Sequence, residues 1–250
     1  MTLDNLDYEI EIAIEAAKTS GKLLLENRKE LNNEISVTTK DIKLRADVSS
    51  ENLIKEIIFT NSNYPILAKE SGKSKKNLGK TFWVIDPLDG TANYNRDIPI
   101  CCVSIGLVHN MEPIVGVIYD FNNNDLFVGN CPKNTSTLND MVIKVSNIQQ
   151  KKESILITGL PHGANYSDEA LNTMIDDMQS WKKVRMIGSA AMASCYVASG
   201  KAELYKENGL FLWDVAAGAA IVSASGGQAI ISNLQENYQV DVIFSNSKIQ

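Results

Sequence analysis

A mixed architecture, α+β in its first half and α/β in its second, is predicted for this 250-residue sequence by three features. Residues 4–27 repeat apolar side chains at helical spacing. Residues 101–129 hold consecutive β-type runs parted by turn-forming Asn, Glu and Asp. From residue 154 onward, strand-type and helix-type segments alternate. No internal repeat and no linker of Gly, Ser or Pro divides the chain, and 44% of its residues are hydrophobic. It therefore reads as one domain, 1–250, whose halves, about 1–150 and 151–250, share a sizeable core.

The first element, over 4–27, spaces Leu6, Ile10, Ala13, Ile14, Ala17, Gly21 and Leu24 three and four apart, one apolar helix face turned to the core. Residues 28–46 are polar with scattered β-branched side chains, a mobile hairpin or loop. Asp47 follows just before a helix over 52–59, for which Ser49-Ser50-Glu51 provides caps and an early acid. Residues 65–68 form a short strand leading to Lys69-Glu70. Residues 81–85 are β-branched, aromatic or aliphatic throughout, the composition of a buried strand. Segments 101–109, 113–120 and 125–129 continue as a meander. In the second half, 154–159 is a strand, 167–181 a helix, 183–187 a strand and 188–200 a helix. Residues 202–206 form a strand, 213–227 a buried helix of small residues closed by Gly, and QAIIS and QVDVIFS the last strands.

The net charge of −6 disfavours a nucleic acid or an anionic membrane as the main partner. Cys101, Cys102, Cys131 and Cys195 lack CxxC spacing, and the first residues lack a basic-then-apolar secretion signal, so reduced thiols in the cytoplasm are expected. Apolar runs fall short of the ~20 residues that span a bilayer, the mark of a soluble protein. His109 and His162 have no metal-ligand spacing and read as surface or loop histidines.

Chemistry concentrates where the strand at 81–85 stops. In TFWVIDPLDGTANY (81–94), Pro87 cannot donate to a ladder and Gly90 admits positive φ, so a tight turn over 86–91 should crowd Asp86 against Asp89. Like charges at that range raise each other's pKa unless a cation compensates, and hard divalent cations take carboxylate and carbonyl oxygens. A magnesium site answers the crowding; the plain alternative is a turn built from common Asp-Pro and Asp-Gly pairs. Further acids stand at element ends, Glu70 after a strand and Asp214 at the start of the small-residue helix. Close packing there would give a ligand its rigidity, while ordinary capping is the other reading of Asp214. Gly188-Ser189-Ala190 opens a helix with N–H groups and a hydroxyl suited to an anionic or hydroxylated ligand, or with a simple serine cap.

DPLDGTAN (86–93), GSAA (188–191) and WDVAAGAAIVSASGG (213–227), in that order and spacing over nearly the whole chain, resemble the signatures of the inositol monophosphatase family of magnesium-dependent, lithium-sensitive phosphatases. The resemblance implies a layered αβαβα sandwich of the sugar-phosphatase type, a homodimer, and two to three Mg2+ ions with Mn2+ as a substitute. It implies that Asp86, the Leu88 carbonyl, Asp89 and Asp214 ligate metal, that Gly90 and Thr91 hold the phosphate beside Asp89 and Asp214, and that Asp47 with Thr91 positions the attacking water. Cations clamped by Asp86 would neutralise the phosphate, lower the pKa of a bound water and stabilise the leaving alkoxide. Glu207, in YKENG, matches the position that accepts hydrogen bonds from substrate hydroxyls, or else is a solvated charge. Related histidinol-phosphate and 3′-phosphoadenosine phosphatases place Lys where this chain has Ala92. That leans toward an inositol or sugar monophosphate, with the other two as alternatives.

The chain departs from the resemblance at Lys69. The family has two consecutive glutamates there, the first a metal ligand, and Glu70 aligns with the second. Adjacent side chains on an extended strand face opposite ways, so Glu70 reaches a metal only through a bulge or turn. Three readings follow. Glu70 swings in as ligand and catalytic group, Lys69 supplies an ammonium where a cation would sit, or catalysis is weakened and the protein keeps a binding or regulatory role.

Overall fold

Helix α1 (Asp7–Glu26) begins the described chain, which in this computed structural model comprises residues 6–37, 42–160 and 167–249. It buries Ile12, Ala13, Ala16, Ala17, Ser20, Gly21 and Leu24, with Ile10 and Ile14 half-buried beside them, close to the stripe read from the sequence. A single turn, α2 (Arg28–Leu31), and an antiparallel pair, β1 (Glu34–Val37) and β2 (Ile42–Leu44), follow, so the described part of the polar stretch carries paired strands. Helix α3 (Arg45–Asn61) starts well ahead of the 52–59 expected. Asp47 is therefore inside its first turn rather than before it. Its carboxylate accepts from the Leu44 N–H at 2.8 Å and caps the helix, the task assigned to the serines.

Strands β3 (Ile66–Ala68), β4 (Gly72–Lys73), β5 (Thr81–Asp89), β6 (Cys102–His109), β7 (Glu112–Asp120), β8 (Asp125–Asn130), β9 (Thr135–Leu138) and β10 (Met141–Val142) form one eight-stranded sheet of order β10-β9-β8-β7-β6-β5-β3-β4. Strand β5 does not stop at Ile85. Its register with β6 slips between Asp86 and Asp89, a bulge that admits Pro87 without ending the strand. The tight turn comes later, at Gly90 (φ +81), which opens the short helix α4 (Thr91–Asn95).

The second half supplies β11 (Ile155–Thr158), α5 (Asp168–Gln179), β12 (Lys183–Arg185), α6 (Ala190–Ala198), β13 (Leu204–Phe211), α7 (Leu212–Ala224), β14 (Gln228–Ser232) and β15 (Gln239–Ser245). Its strands form a five-stranded sheet, β12-β11-β13-β15-β14, parallel around β11 and antiparallel around β15. Helices α1 and α3 pack on the large sheet, α6 and α7 pack between the two sheets, and α5 is tied to β13 by the Asp177–Lys206 ion pair at 2.6 Å. The layers follow the αβαβα order.

The packing of α7 fixes the site. Gly106, Gly116 and Gly129 are cross-strand partners on β6, β7 and β8 and make a track without side chains. The helix backbone lies on it: a Cβ at Gly116 would stand 2.0 Å from the Ala217 carbonyl oxygen, and one at Gly129 would stand 2.6 Å from Ile221 Cα. Gly218 in turn admits Ser194 of α6, whose Oγ would lie 2.4 Å from an added Cβ. Only a helix of small residues fits this slot, and its first turn carries Asp214.

Candidate metal centre

Asp86 and Asp89, in the bulged end of β5, and Asp214, in the first turn of α7, each offer an oxygen within 4.8 Å of the others. Local bonds aim each of them. Asp86 Oδ1 accepts from the Leu88 N–H at 3.0 Å across the bulge. Asp89 Oδ2 accepts from the Ala191 N–H at 3.0 Å and from the Ser189 hydroxyl. Asp214 Oδ2 accepts from the Phe211 N–H at 2.8 Å. The bulge itself is pinned from α3 and α1: Ser50 Oγ donates to the Pro87 carbonyl at 2.6 Å and lies 2.6 Å from Ser20 Oγ.

Asp47 and Thr91 stand beside this triad. Thr91 Oγ1 is 3.0 Å from Asp47 Oδ1 and 2.9 Å from the Leu88 carbonyl, so its single proton serves one acceptor at a time. Lys69 reaches the same place. Its Nζ lies 3.3 Å from both Asp86 oxygens, 3.2 Å from the Leu88 carbonyl, 3.5 Å from Thr91 Oγ1 and 3.9 Å from Asp47 Oδ1. Glu70 is not brought into the cluster. Its carboxylate pairs with Lys43 Nζ at 2.5 Å, and its N–H donates to Glu51 Oε2 at 2.7 Å. The alternation of adjacent side chains holds at the end of β3, and it is Lys69 that faces Asp86.

Glu207, on β13, accepts from the Tyr205 hydroxyl at 3.0 Å and packs on Gly159, where a Cβ would lie 2.2 Å from its Oε1. At Gly188-Ser189-Ala190 the serine caps α6, accepting from the Met192 N–H at 3.2 Å, and its hydroxyl is given to Asp89. This turn therefore orients Asp89. Gly188 (φ +72) lies against Asn93, whose Nδ2 donates to the Ile100 and Ile187 carbonyls at 2.8 Å each. Asn93 sits inside the DPLDGTAN motif, yet its partners are backbone carbonyls that only the fold brings near. Ser20, Lys43 and Glu51 carry no sequence signal for their roles, and Ser50 reads as a helix cap. His109 bonds Thr81 at 2.7 Å at the far end of the β5–β6 pair, and His162 lies outside the described residues.

Burial pushes Asp47 up to about 6, against the pull of Lys69 and the Leu44 N–H. Burial and then the Asp86 charge lift Asp89 to about 6, with Ser189 and Lys69 pulling it down. Asp86 is raised by burial, and Asp214 is raised well above its ordinary range by burial and Asp86. Glu207 is lifted to about 7 by burial, opposed by the Tyr205 hydroxyl and reinforced by Asp89. Burial works against the charge of Lys69, but Asp86, Asp47, Asp214 and Asp89 together outweigh it and hold the ammonium well above its usual value. Three buried aspartates and the half-buried Asp214 thus face one lysine. Hard oxygen donors in excess of cationic charge fit a divalent ion, and the triad of Asp86, Asp89 and Asp214 is where they fit it.

The sequence profile of the Inositol monophosphatase family matches residues 5–248. The chain is 36% identical over 222 residues to the Nus factor SuhB of Xylella fastidiosa, covering 87% of this chain and 80% of that one. It is 30% identical over 223 residues to the inositol-1-monophosphatase of Mesorhizobium japonicum, covering 87% and 83%. The solved structure of an inositol monophosphatase from Anabaena matches with a TM-score of 0.83 at 34% identity, covering 98% of this chain and 92% of that one. The chain belongs to the inositol monophosphatase family, whose members are metal-dependent phosphoric monoester hydrolases.

Proposed function

We propose that this member of the inositol monophosphatase family is a magnesium-dependent phosphomonoesterase that converts inositol or sugar monophosphates, with water, to the free alcohol and orthophosphate. The observation that carries the reading is the convergence of Asp86, Asp89 and Asp214 within 4.8 Å beside the Asp47–Thr91 pair. Asp86, the Leu88 carbonyl, Asp89 and Asp214 would hold Mg2+, or Mn2+ in its place, which supplies a Lewis acid for the phosphate and a water of lowered pKa. The other tasks fall to the chain.

Gly90 and Thr91 receive the phosphate. A side chain at 90 is barred by its φ of +81 and by the Ile100 carbonyl oxygen, 2.7 Å from where a Cβ would stand. Thr91 Oγ1 accepts the proton of the attacking water as it passes its own to Asp47 Oδ1, 3.0 Å away. Asp47, at about 6, is ionised above that pH and able to accept it. In the turn of Gly188, Ser189 and Ala190, the Ser189 hydroxyl, with the Ala191 N–H that follows, keeps Asp89 aimed, and Glu207 accepts hydrogen bonds from the polyol hydroxyls. Free cysteines at 101, 102, 131 and 195 fit action in the cytoplasm, and we assign the active species as a homodimer.

Phosphate release over a panel of inositol, sugar, histidinol and nucleotide monophosphates, with Mg2+ and with chelator, tests the reading. Inositol or sugar monophosphates should be hydrolysed in Mg2+ alone and faster than 3′-phosphoadenosine 5′-phosphate. Preference for the nucleotide, or release untouched by chelator, would refute it. Lys69 favours a second reading, in which its ammonium in the Asp86 cradle slows catalysis and a binding or regulatory role is retained. Relatives named Nus factor SuhB fit that alternative.

A further inference from the structure

Lys69 holds its ammonium inside a cage of oxygens. Charge-assisted ammonium bonds settle at about 2.7–2.9 Å on a favoured partner. Here Nζ is spread over both Asp86 oxygens at 3.3 Å, the Leu88 carbonyl at 3.2 Å and Thr91 Oγ1 at 3.5 Å, with Asp47 Oδ1 at 3.9 Å. It sits among them rather than on any one, as a coordinated ion does. The stem is anchored: the Lys69 N–H donates to the Ile85 carbonyl at 3.1 Å, extending the β3–β5 ladder, and only 19% of the side chain is exposed. Three of the caging oxygens, the Asp86 carboxylate and the Leu88 carbonyl, belong to the metal-ligand set of the proposed function. Among the described residues, Lys69 makes ion-pair contacts with Asp86 and Asp47 but not with Asp89 or Asp214, which feel it only through its field, so two carboxylates of the triad stay open to a metal ion.

We propose that Lys69 is a tethered cation that fills one metal position beside Asp86, so that the chain takes up one divalent ion fewer than the same site with a carboxylate or amide at 69. The proposal rests on the metal-binding reading of the Asp86, Asp89 and Asp214 triad for the ion that remains. A second ion at the Asp86 and Leu88 oxygens requires the ammonium to leave, and the anchored backbone and buried stem hold it in place. The ammonium also keeps a fixed positive charge beside the phosphate position and Thr91.

Metal counting tests this directly. Chelator-stripped wild type, Lys69→Glu and Lys69→Gln are titrated with Mn2+, and the free hydrated ion is followed by electron paramagnetic resonance. Both variants should bind one more Mn2+ per chain than wild type. In chelator, Lys69→Gln should melt below wild type, because Asp47, Asp86, Asp89 and Asp214 lose their shared cation, and Mn2+ should raise its Tm by more than it raises that of wild type. Equal stoichiometry in wild type and variants overturns the proposal. If circular dichroism shows Lys69→Glu unfolded, Lys69→Gln decides alone. Phosphate release from inositol monophosphate by the same wild-type sample separates the two readings. A stoichiometry difference without activity keeps the tethered cation and sinks the phosphatase, while activity with equal stoichiometry does the reverse.

Discussion

Replacing Gly116 by Ala should disable the site from a distance, through the track on which α7 lies. The new Cβ would stand 2.0 Å from the Ala217 carbonyl oxygen, 2.8 Å from its carbonyl carbon and 3.0 Å from its Cα, all of them backbone atoms. Ordinary contact begins near ~3.5 Å, so at least about 1 Å must be yielded. Strand β7 is hydrogen-bonded between β6 and β8 and has little room to give. The helix must move instead, and Asp214 moves with it. Overpacking of this kind costs about 1–3 kcal/mol. For 250 residues an unfolding entropy of ~2.1 cal/mol/K per residue makes each kcal/mol about 2 °C, so Tm should fall by about 2–6 °C. A ~1 Å misplacement of a reacting or ligating group costs on the order of 100-fold in rate, so activity at 25 °C, far below the melt, should fall by about that factor. Differential scanning fluorimetry and phosphate release measure the two effects. Gly129→Ala, 2.6 Å from Ile221 Cα, and Gly106→Ala, 3.1 Å from the Ala217 nitrogen, should follow in decreasing severity. Unchanged Tm and activity in Gly116→Ala, or greater harm from Gly106→Ala, would refute the reasoning.

Asp86→Asn, Asp89→Asn and Asp214→Asn should each cut Mg2+-dependent release by 100-fold or more, on the order of the loss of a preorganised charge; full activity in any two sinks the ligand assignment. In chelator, Asp214→Asn should melt above wild type by relieving repulsion with Asp86, whereas Asp86→Asn should not, since it also removes the main partner of Lys69. Glu207→Gln should raise KM for inositol monophosphate about tenfold, the worth of a hydrogen bond to a charged acceptor, and abolish the fall in wild-type KM as pH rises through about 7; a KM equal to wild type removes Glu207 from the substrate. Stability should also depend on pH in opposite senses with and without metal. Asp47 and Asp89, raised from 3.8 to about 6, bind more protons folded than unfolded, so their contribution to metal-free stability is full below about pH 3.8 and is lost as pH rises through about 6, about 3 kcal/mol over the whole span for Asp47 alone. Ligation requires the ionised forms, so the Tm gain from Mg2+ should grow between pH 5 and pH 7.5; a gain as large at pH 5 contradicts these shifts.

Strong periodicity made the long elements legible. The apolar stripe of α1, the meander of β5 to β8 and the alternating second half were each readable from local spacing. Strands β9 and β10, of four and two residues, were not, because segments so short carry little pattern. The start of α3 was misplaced for a different reason: Ser49 and Ser50 look like caps, but Ser50 is buried against Pro87 and the cap is Asp47. At Asp86 a proline signalled a turn, and pairing with β6 turned it into a bulge instead. The three aspartates of the centre were legible because each stands at an element end in a dense motif. Supports such as Ser20, which reaches the bulge through Ser50, were not, since their partners lie far away in sequence.

The order of Lys69 and Glu70 matters because the end of β3 has two faces with opposite demands. One face meets Asp86 and Asp47, buried and short of positive charge; the other meets Lys43 on β2. A glutamate at 69 would add a fifth carboxylate to the first face, a burden that only bound metal offsets. Lysine there offsets the charge without metal, and Glu70 remains paired with Lys43 in either case. The glycine track holds α7, and with it Asp214, at a fixed distance from Asp86, so the cluster cannot spread to lower its own repulsion. The charge must therefore be met in every state of the folded chain, by Lys69, by bound metal or by protons on the raised aspartates. Position 69 decides whether part of that charge is carried by the sequence or drawn from solution, and so trades metal uptake against the stability of the metal-free fold.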